Sequence, residues 1–359
     1  MNFSRKIEPN SLPENLTTLT FSDYFNQEID PNMLPKNLIT FTFGRNFNQK
    51  IKPNTLPENL ITLTFGHLFN QIITPNTLPE NLITLTFGHD FNQKIEPDIL
   101  PKNLINLTFG RDFNQKVTPN SLPENLTTLT FGQNFNQEIE PDILPKNLTS
   151  LTFGRDFNQK IKPNTLPKKL ADLTFGQNFN QGIDPNILPE NLTNLTFGNW
   201  FNQKIEPNTL PENLTSLIFG WKFNQIIELN TLSENLTNLT FGSKFNQKID
   251  SKILPSNLKN ISFNWINLGK YDSIGHHIKM INNISGYYYV EIFLDKNIFD
   301  TNGLKWPIHV VKYRVNKWPL KIYEIQDNYI HPVYDSITVL INKETYQPYS
   351  FAKSALKLL

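Results

Sequence analysis

Along most of the chain, apolar and polar positions recur every 22 residues. Stacked at that period from Phe3, the majority unit reads F-N-Q-x-I-x-P-N-x-L-P-x-N-L-T-x-L-T-F-G-x-x. One phenylalanine column runs Phe3, Phe25, Phe47, Phe69, Phe91 and on to Phe245; a second runs Phe21, Phe43, Phe65 through Phe263 without a gap. A fixed period of this length predicts a solenoid, because a single unit cannot bury its apolar face except by stacking on its neighbours. Within each unit, segments such as Leu19-Thr20-Phe21 alternate inward Leu and Phe with outward Thr, as a short strand buried on one face does. The return path sends Phe, Ile and Leu inward. Its two prolines per unit argue against a long helix and for extended or short 3₁₀ structure. Gly44, Gly66, Gly88 and their successors to Gly242 follow the strand, where the chain is expected to turn without side-chain conflict.

In Leu16-Thr17-Thr18-Leu19-Thr20-Phe21 the apolar residues fall at the first, fourth and sixth positions, the L-x-x-L-x-L spacing of a leucine-rich repeat. The expected fold is therefore a leucine-rich-repeat-like solenoid, with a parallel β-sheet built from one short strand per 22-residue coil and mostly non-helical returns, in twelve units over residues 1–263. After Phe263 the period stops. Strands are expected at 287–294, 310–315, 320–325 and 336–341, and a terminal helix at 350–359. Residues 264–359 thus read as a small β-rich (α+β) capping or accessory domain, since the last coil of a solenoid needs a cover.

The polar columns read as framework. Asn and Gln of each F-N-Q, stacked at the spacing of about 4.8 Å between strands, can form amide ladders from coil to coil. Asn15, Asn37, Asn59 and their successors are expected to do the same before the strand, with Lys169 the one interruption.

Phe47-Asn48-Gln49, Leu56-Pro57-Glu58-Asn59-Leu60 and Leu63-Thr64-Phe65-Gly66, with equivalents from Phe3 to Phe263, resemble the FNIP repeat proteins, a leucine-rich-repeat relative abundant in social amoebae and giant DNA viruses. The chain departs from the family where Pro often follows F-N-Q: here stand Glu28, Lys50, Ile72 and Gly182. Some members carry an F-box ahead of the repeats and act as substrate adaptors of ubiquitin ligases. No F-box fits ahead of Phe3, so the resemblance implies that role, or a place in a viral particle, only as an alternative.

Composition narrows the function classes. Lys plus Arg (33) and Asp plus Glu (32) nearly cancel, so bulk charge selects neither nucleic acid nor membrane as a partner. The absence of cysteine removes disulfides, thiol nucleophiles and cysteine-ligated metals. Without an apolar segment suited to a signal peptide or a membrane span, an intracellular, cytoplasmic setting is expected. Sequons such as Asn15-Leu16-Thr17, Asn125-Leu126-Thr127 and Asn213-Leu214-Thr215 are by-products of the repeat. His276, His277, His309 and His331 come with no Ser-His-Asp order, HExxH or phosphate loop, so the chain reads as a non-enzyme with no catalytic residue and no cofactor.

If the regular columns are framework, recognition belongs to the columns that vary. Two follow the Gly: Asp23, Arg45, His67, His89, Arg111, Gln133, Arg155 and onward in the first, and Tyr24, Asn46, Leu68, Asp90, Asp112, Asn134, Asp156 and onward in the second. Trp200 and Trp221, in adjacent columns of adjacent coils, are the candidate hot spot for a protein partner, with Trp265 beyond them. The alternative for this pair is packing against the C-terminal segment. Arg45, His67, His89, Arg111 and Arg155 form a basic row, partly matched by Asp90, Asp112 and Asp156, and read either as a receptor for an acidic peptide or as a solvated row of alternating charge. His67 and His89 stand one coil apart, yet only Asp90 accompanies them, and no metal is expected. The expected function is a non-catalytic scaffold that binds a protein along the sheet edge, with oligomerisation through the first coil as a further possibility.

Overall fold

The computed structural model describes residues 6–8, 11–242, 244, 245, 247 and 253–265, together with strand residues 276–283, 287–293 and 336–342; from 261 onward it is described by its backbone. The chain forms two compact units, Met1–Leu192 and Thr193–Leu359, each described by itself.

The first unit is a parallel β-solenoid. Its strands are β1 (Thr18–Thr20), β2 (Thr40–Thr42), β3 (Thr62–Thr64), β4 (Thr84–Thr86), β5 (Asn106–Thr108), β6 (Thr128–Thr130), β7 (Ser150–Thr152) and β8 (Asp172–Thr174). Each pairs in parallel with the next in a register shifted by one 22-residue repeat, so that Leu63 lies opposite Leu85 and Leu85 opposite Leu107. In β2 to β7 the central residue is buried and its two neighbours are half-buried, as the alternation predicts.

Each coil closes through three tight turns, which explains why 22 residues suffice without a helix. In one coil, Phe69 donates its N–H to the Gly66 carbonyl at 3.2 Å, Thr77 to Thr74 at 3.2 Å, and Leu82 to Pro79 at 3.2 Å. The middle turn follows the proline rule. In Lys52-Pro53-Asn54-Thr55 the proline supplies the fixed φ of the second position, and Asn54 takes φ 60° at the third, where a type II turn needs a residue tolerant of the left-handed region. Asn or Asp holds that position at every coil from Asn32 to Asn230, with φ between 59° and 67°. Among the described residues the returns contain no α-helix.

Inside the coil, Phe69, Ile73, Leu78, Leu82, Leu85 and Phe87 are all buried. The two phenylalanine columns form a double stack: Phe87 and Phe91 lie 3.9 Å apart within a coil, and Phe91 and Phe113 lie 6.2 Å apart between coils, 5° from parallel. Burying each ring contributes about 1.5–3 kcal/mol, so the stack is the main stabilising axis.

The glycine column avoids a side-chain conflict, as expected, and the conflict is with the neighbouring coil. A Cβ at Gly88 would run into the Gly66 carbonyl oxygen, and one at Gly110 into that of Gly88. Gly is required because successive backbones approach at this corner.

The polar framework is as expected. The Asn48 side-chain oxygen accepts the backbone N–H of Asn70 at 2.9 Å and Nε2 of Gln71 at 3.0 Å, and this pattern recurs along the unit. Before the strand, Asn81 donates Nδ2 to the Glu58 carbonyl at 3.0 Å, while Lys169 keeps its place in the column by donating Nζ to Asn147 Oδ1 at 2.7 Å.

The second unit is built from the same kind of coil, with β9 (Asn194–Thr196), β10 (Ser216–Ile218), β11 (Asn238–Phe241) and β12 (Asn260–Trp265) paired in parallel. Three longer strands then run antiparallel: β13 (His276–Asn283) on β12, β14 (Tyr287–Phe293) on β13 and β15 (Ser336–Asn342) on β14. The sequence segments 310–315, 320–325 and 350–359, expected as strands and helix, lie outside the described residues, as do His309 and His331.

Candidate functional site

The variable columns sit at the tip of one turn. In each Gly-x-x-Phe turn the two central residues are the two variable positions, and within the first unit the second of them bonds to the coil before: Leu68 donates its N–H to the Arg45 carbonyl at 2.9 Å, Asp90 to His67 at 2.9 Å and Asp112 to His89 at 2.8 Å. The same bond recurs in the second unit, from Lys222 to Asn199 at 2.8 Å and from Lys244 to Trp221 at 3.0 Å. Each unit therefore presents a rigid row of outward side chains, one pair per coil. Rigid presentation keeps the entropy cost of binding low.

In the first unit the row is largely self-neutralised. Arg111 Nε lies 3.9 Å from Asp112 and Arg155 Nε 3.8 Å from Asp156, and each of those carboxylates also accepts Nδ2 of an asparagine one coil on, Asn134 and Asn178, at 2.9 Å. Arg45 donates its backbone N–H to Asp23 at 3.3 Å. His67 and His89 are brought together: their rings stack at 4.5 Å, 13° from parallel. Asp90 Oδ1 lies 2.9 Å from His89 Nδ1, and Arg111 lies 3.2 Å from His89 Nε2. The row is thus one of alternating charge, and such exposed pairs add about 0–1 kcal/mol each.

The second unit differs. Trp200 is 46% exposed and Trp221 36%. Lys222 stands over Trp200 with Nζ 3.4 Å from the ring centroid and reaches within 6.0 Å of the Trp221 ring; Lys244 lies 5.2 Å from the same ring. A lysine sits between the indoles. No carboxylate shares this stretch of the two columns, which read Trp200, Trp221, Lys222 and Lys244 with Asn199 and Ser243. The result is an exposed aromatic patch with cations on its faces, each cation–π contact contributing about 0.5–1 kcal/mol. Trp265 lies in β12, two coils further on.

A second surface has no counterpart in the sequence reading. Ile61, Ile83 and Ile105, in the column before the strand, line a shallow groove of about 520 Å³ with Asn59, Asn81, Asn103 and Asn125. The signal was present, because this column reads Ile39, Ile61, Ile83 and Ile105 in successive units and Thr127 and Thr149 after them.

On the return side, lysines bridge carboxylates of neighbouring columns. Lys52 binds Asp30 at 2.7 Å and Lys162 binds Glu140 at 3.0 Å. The hydrogen bonds and charges of these lysines hold the Asp30 and Glu140 carboxyls below the usual carboxylate range, and the carboxylates raise both lysines in turn. The nitrogen of the Asn125 sequon is also committed, Asn125 Nδ2 donating to the Lys102 carbonyl at 2.9 Å.

With the coil geometry in hand, the family can be read directly. The family model described as FNIP Repeat matches in overlapping windows from residues 3–46 to residues 223–264. The chain belongs to the FNIP repeat family. It matches no curated protein. Among solved structures it is similar to one described as the crystal structure of CroV588, a novel circular LRR protein, at 54% identity and a TM-score of 0.71 over 72% of this chain. The chain spans 38% of that protein's length. In this FNIP chain Lys50 follows the F-N-Q of residues 47–49, and the return turns at Pro53-Asn54. Among the described residues no helix is long and apolar enough to cross a membrane.

Proposed function

We propose that this FNIP repeat chain is a non-catalytic protein-interaction scaffold whose recognition surface is the row of turn side chains after the strands, centred on Trp200 and Trp221. The observation that carries this reading is the exposure of the two indoles on turns whose Asn199 and Trp221 carbonyls accept backbone N–H groups of the next coil. Large rigid aromatics lose little entropy on binding and are enriched at interface hot spots. In the first unit the corresponding row, with Arg45, His67, His89, Arg111 and Arg155, supplies polar recognition side chains. The leucine-rich-repeat type of solenoid supports the class of function, and the variable columns support the location.

The same reading assigns residues 264–359 to covering the repeat array of residues 1–263. Pairing of β13 on β12 supports it, since an unpaired β12 would leave a sheet edge open to association.

The test is the double variant Trp200→Ala, Trp221→Ala in the full chain, compared with wild type by affinity capture and thermal unfolding. Loss of captured protein with an unfolding midpoint close to wild type is expected. An unchanged partner set, or a large fall in stability, overturns the assignment.

A further inference from the structure

The coil stacking brings together a group that the repeat framework does not use. His67 and His89 occupy one column in successive coils, and one ring nitrogen of each lies with an Asp90 carboxylate oxygen within 4.8 Å of one another. We propose that His67 and His89, oriented by Asp90, bind one divalent transition-metal ion of the zinc class.

Three observations carry this. Asp90 Oδ1 engages Nδ1 of His89 at 2.9 Å, which places the proton of the neutral ring on Nδ1 and the lone pair on Nε2. That is the carboxylate–histidine arrangement that orients an imidazole toward a metal and raises its basicity. Second, the Nε2 lone pair of His89 faces a position that a cation already holds, the Arg111 guanidinium at 3.2 Å. Arg111 is half-exposed, on a long flexible side chain, and a metal ion forms a far stronger bond to a neutral imidazole than a hydrogen bond from arginine does. Third, the charge balance permits a further cation. This stretch of the two columns holds three carboxylates, Asp23, Asp90 and Asp112, and two guanidiniums, Arg45 and Arg111.

A tetrahedral ion with bonds near 2.1 Å needs its ligand atoms about 3.4 Å apart. The near-parallel rings, 4.5 Å apart, must therefore turn toward one another until their lone pairs converge, and His67, which is exposed, is the ring placed to turn. Two imidazoles with an assisting carboxylate suit zinc, nickel or copper rather than magnesium or calcium, which take oxygen ligands. Water completes the coordination at this open surface.

The experiment is calorimetric titration of the full chain with zinc chloride. The variants are ones the columns themselves already tolerate: His67→Gln, His89→Gln and Arg111→Gln follow Gln133 and Gln177, and Asp90→Asn follows Asn46 and Asn134. Wild type is expected to bind one ion that either histidine variant weakens at least about tenfold, and Asp90→Asn roughly tenfold or more. Arg111→Gln is expected to tighten binding, because it removes the competitor. Absence of zinc binding by wild type, binding unchanged in both histidine variants, or weaker binding in Arg111→Gln overturns the proposal.

Discussion

The side-chain oxygen of Asn114 accepts the backbone N–H of Asn136, one coil away, at 2.9 Å. It accepts Nε2 of Gln137 as well, at 3.0 Å, while the Asn114 N–H itself donates to Asn92 Oδ1 at 2.9 Å. Asn114→Ala leaves two donors of the next coil without an acceptor in a half-buried place, a loss of about 1–3 kcal/mol. Asn114→Asp keeps an oxygen in position and is expected to cost clearly less. Denaturant unfolding of the two variants checks this, and equal losses would mean that the ladder contributes through packing rather than hydrogen bonding.

A contrast within the glycines separates close approach from chain flexibility. A Cβ at Gly110 meets the Gly88 carbonyl oxygen, whereas one at Gly182 meets nothing within 4 Å. Gly110→Ala must push two coils apart and is expected to destabilise by about 1–3 kcal/mol, the range of overpacked interiors. Gly182→Ala removes freedom from the unfolded chain at no steric cost and is expected to stabilise by about 0.4–1 kcal/mol. Opposite shifts in unfolding midpoint are the outcome to look for; a loss at both positions would remove the distinction.

The sequence made the framework readable because framework residues repeat. The apolar columns identified the core, and the Thr-Leu-Thr alternation located strands such as β3 and β4. The amide ladders followed from the constancy of Asn48 and Gln49 and their equivalents. Reasons that depend on distance between coils were harder to read. The glycine column looked like a turn requirement, because a sequence does not show how near the next backbone passes. The Pro53-Asn54 turn was legible in principle, since proline followed by asparagine is what a type II turn asks for. The site was less legible still. That Lys222 covers Trp200 follows only from stacking the second variable column, in which these two residues occupy the same slot of successive coils. That Asp90 engages His89, and not a cation in a neighbouring coil, depends on side-chain direction at a turn tip, which no periodicity encodes.

One column carries a defect that can be corrected. The residue after the left-handed Asn or Asp is buried in most coils, and it is Thr209 or Thr231 in some and Ile187 in another. The hydroxyls of Thr55, Thr209 and Thr231 are buried with no hydrogen-bond partner, and a hydroxyl taken from water without a partner costs about 1–3 kcal/mol. The fold tolerates this because the coil is held by its phenylalanine stack and its ladders. Val has nearly the shape of Thr, and the position already accepts the larger Ile187. Thr209→Val therefore removes the desolvation cost without creating a cavity, and it is expected to stabilise the chain by about 1 kcal/mol. Thr77→Val is the control. Its hydroxyl is bonded to Thr74 at 3.0 Å, so the change removes a satisfied hydrogen bond and should give no gain. Thermal unfolding of the two variants decides the matter: a gain confined to Thr209→Val identifies the unpaired hydroxyl as the cause, and an equal gain in both assigns it to hydrophobicity alone.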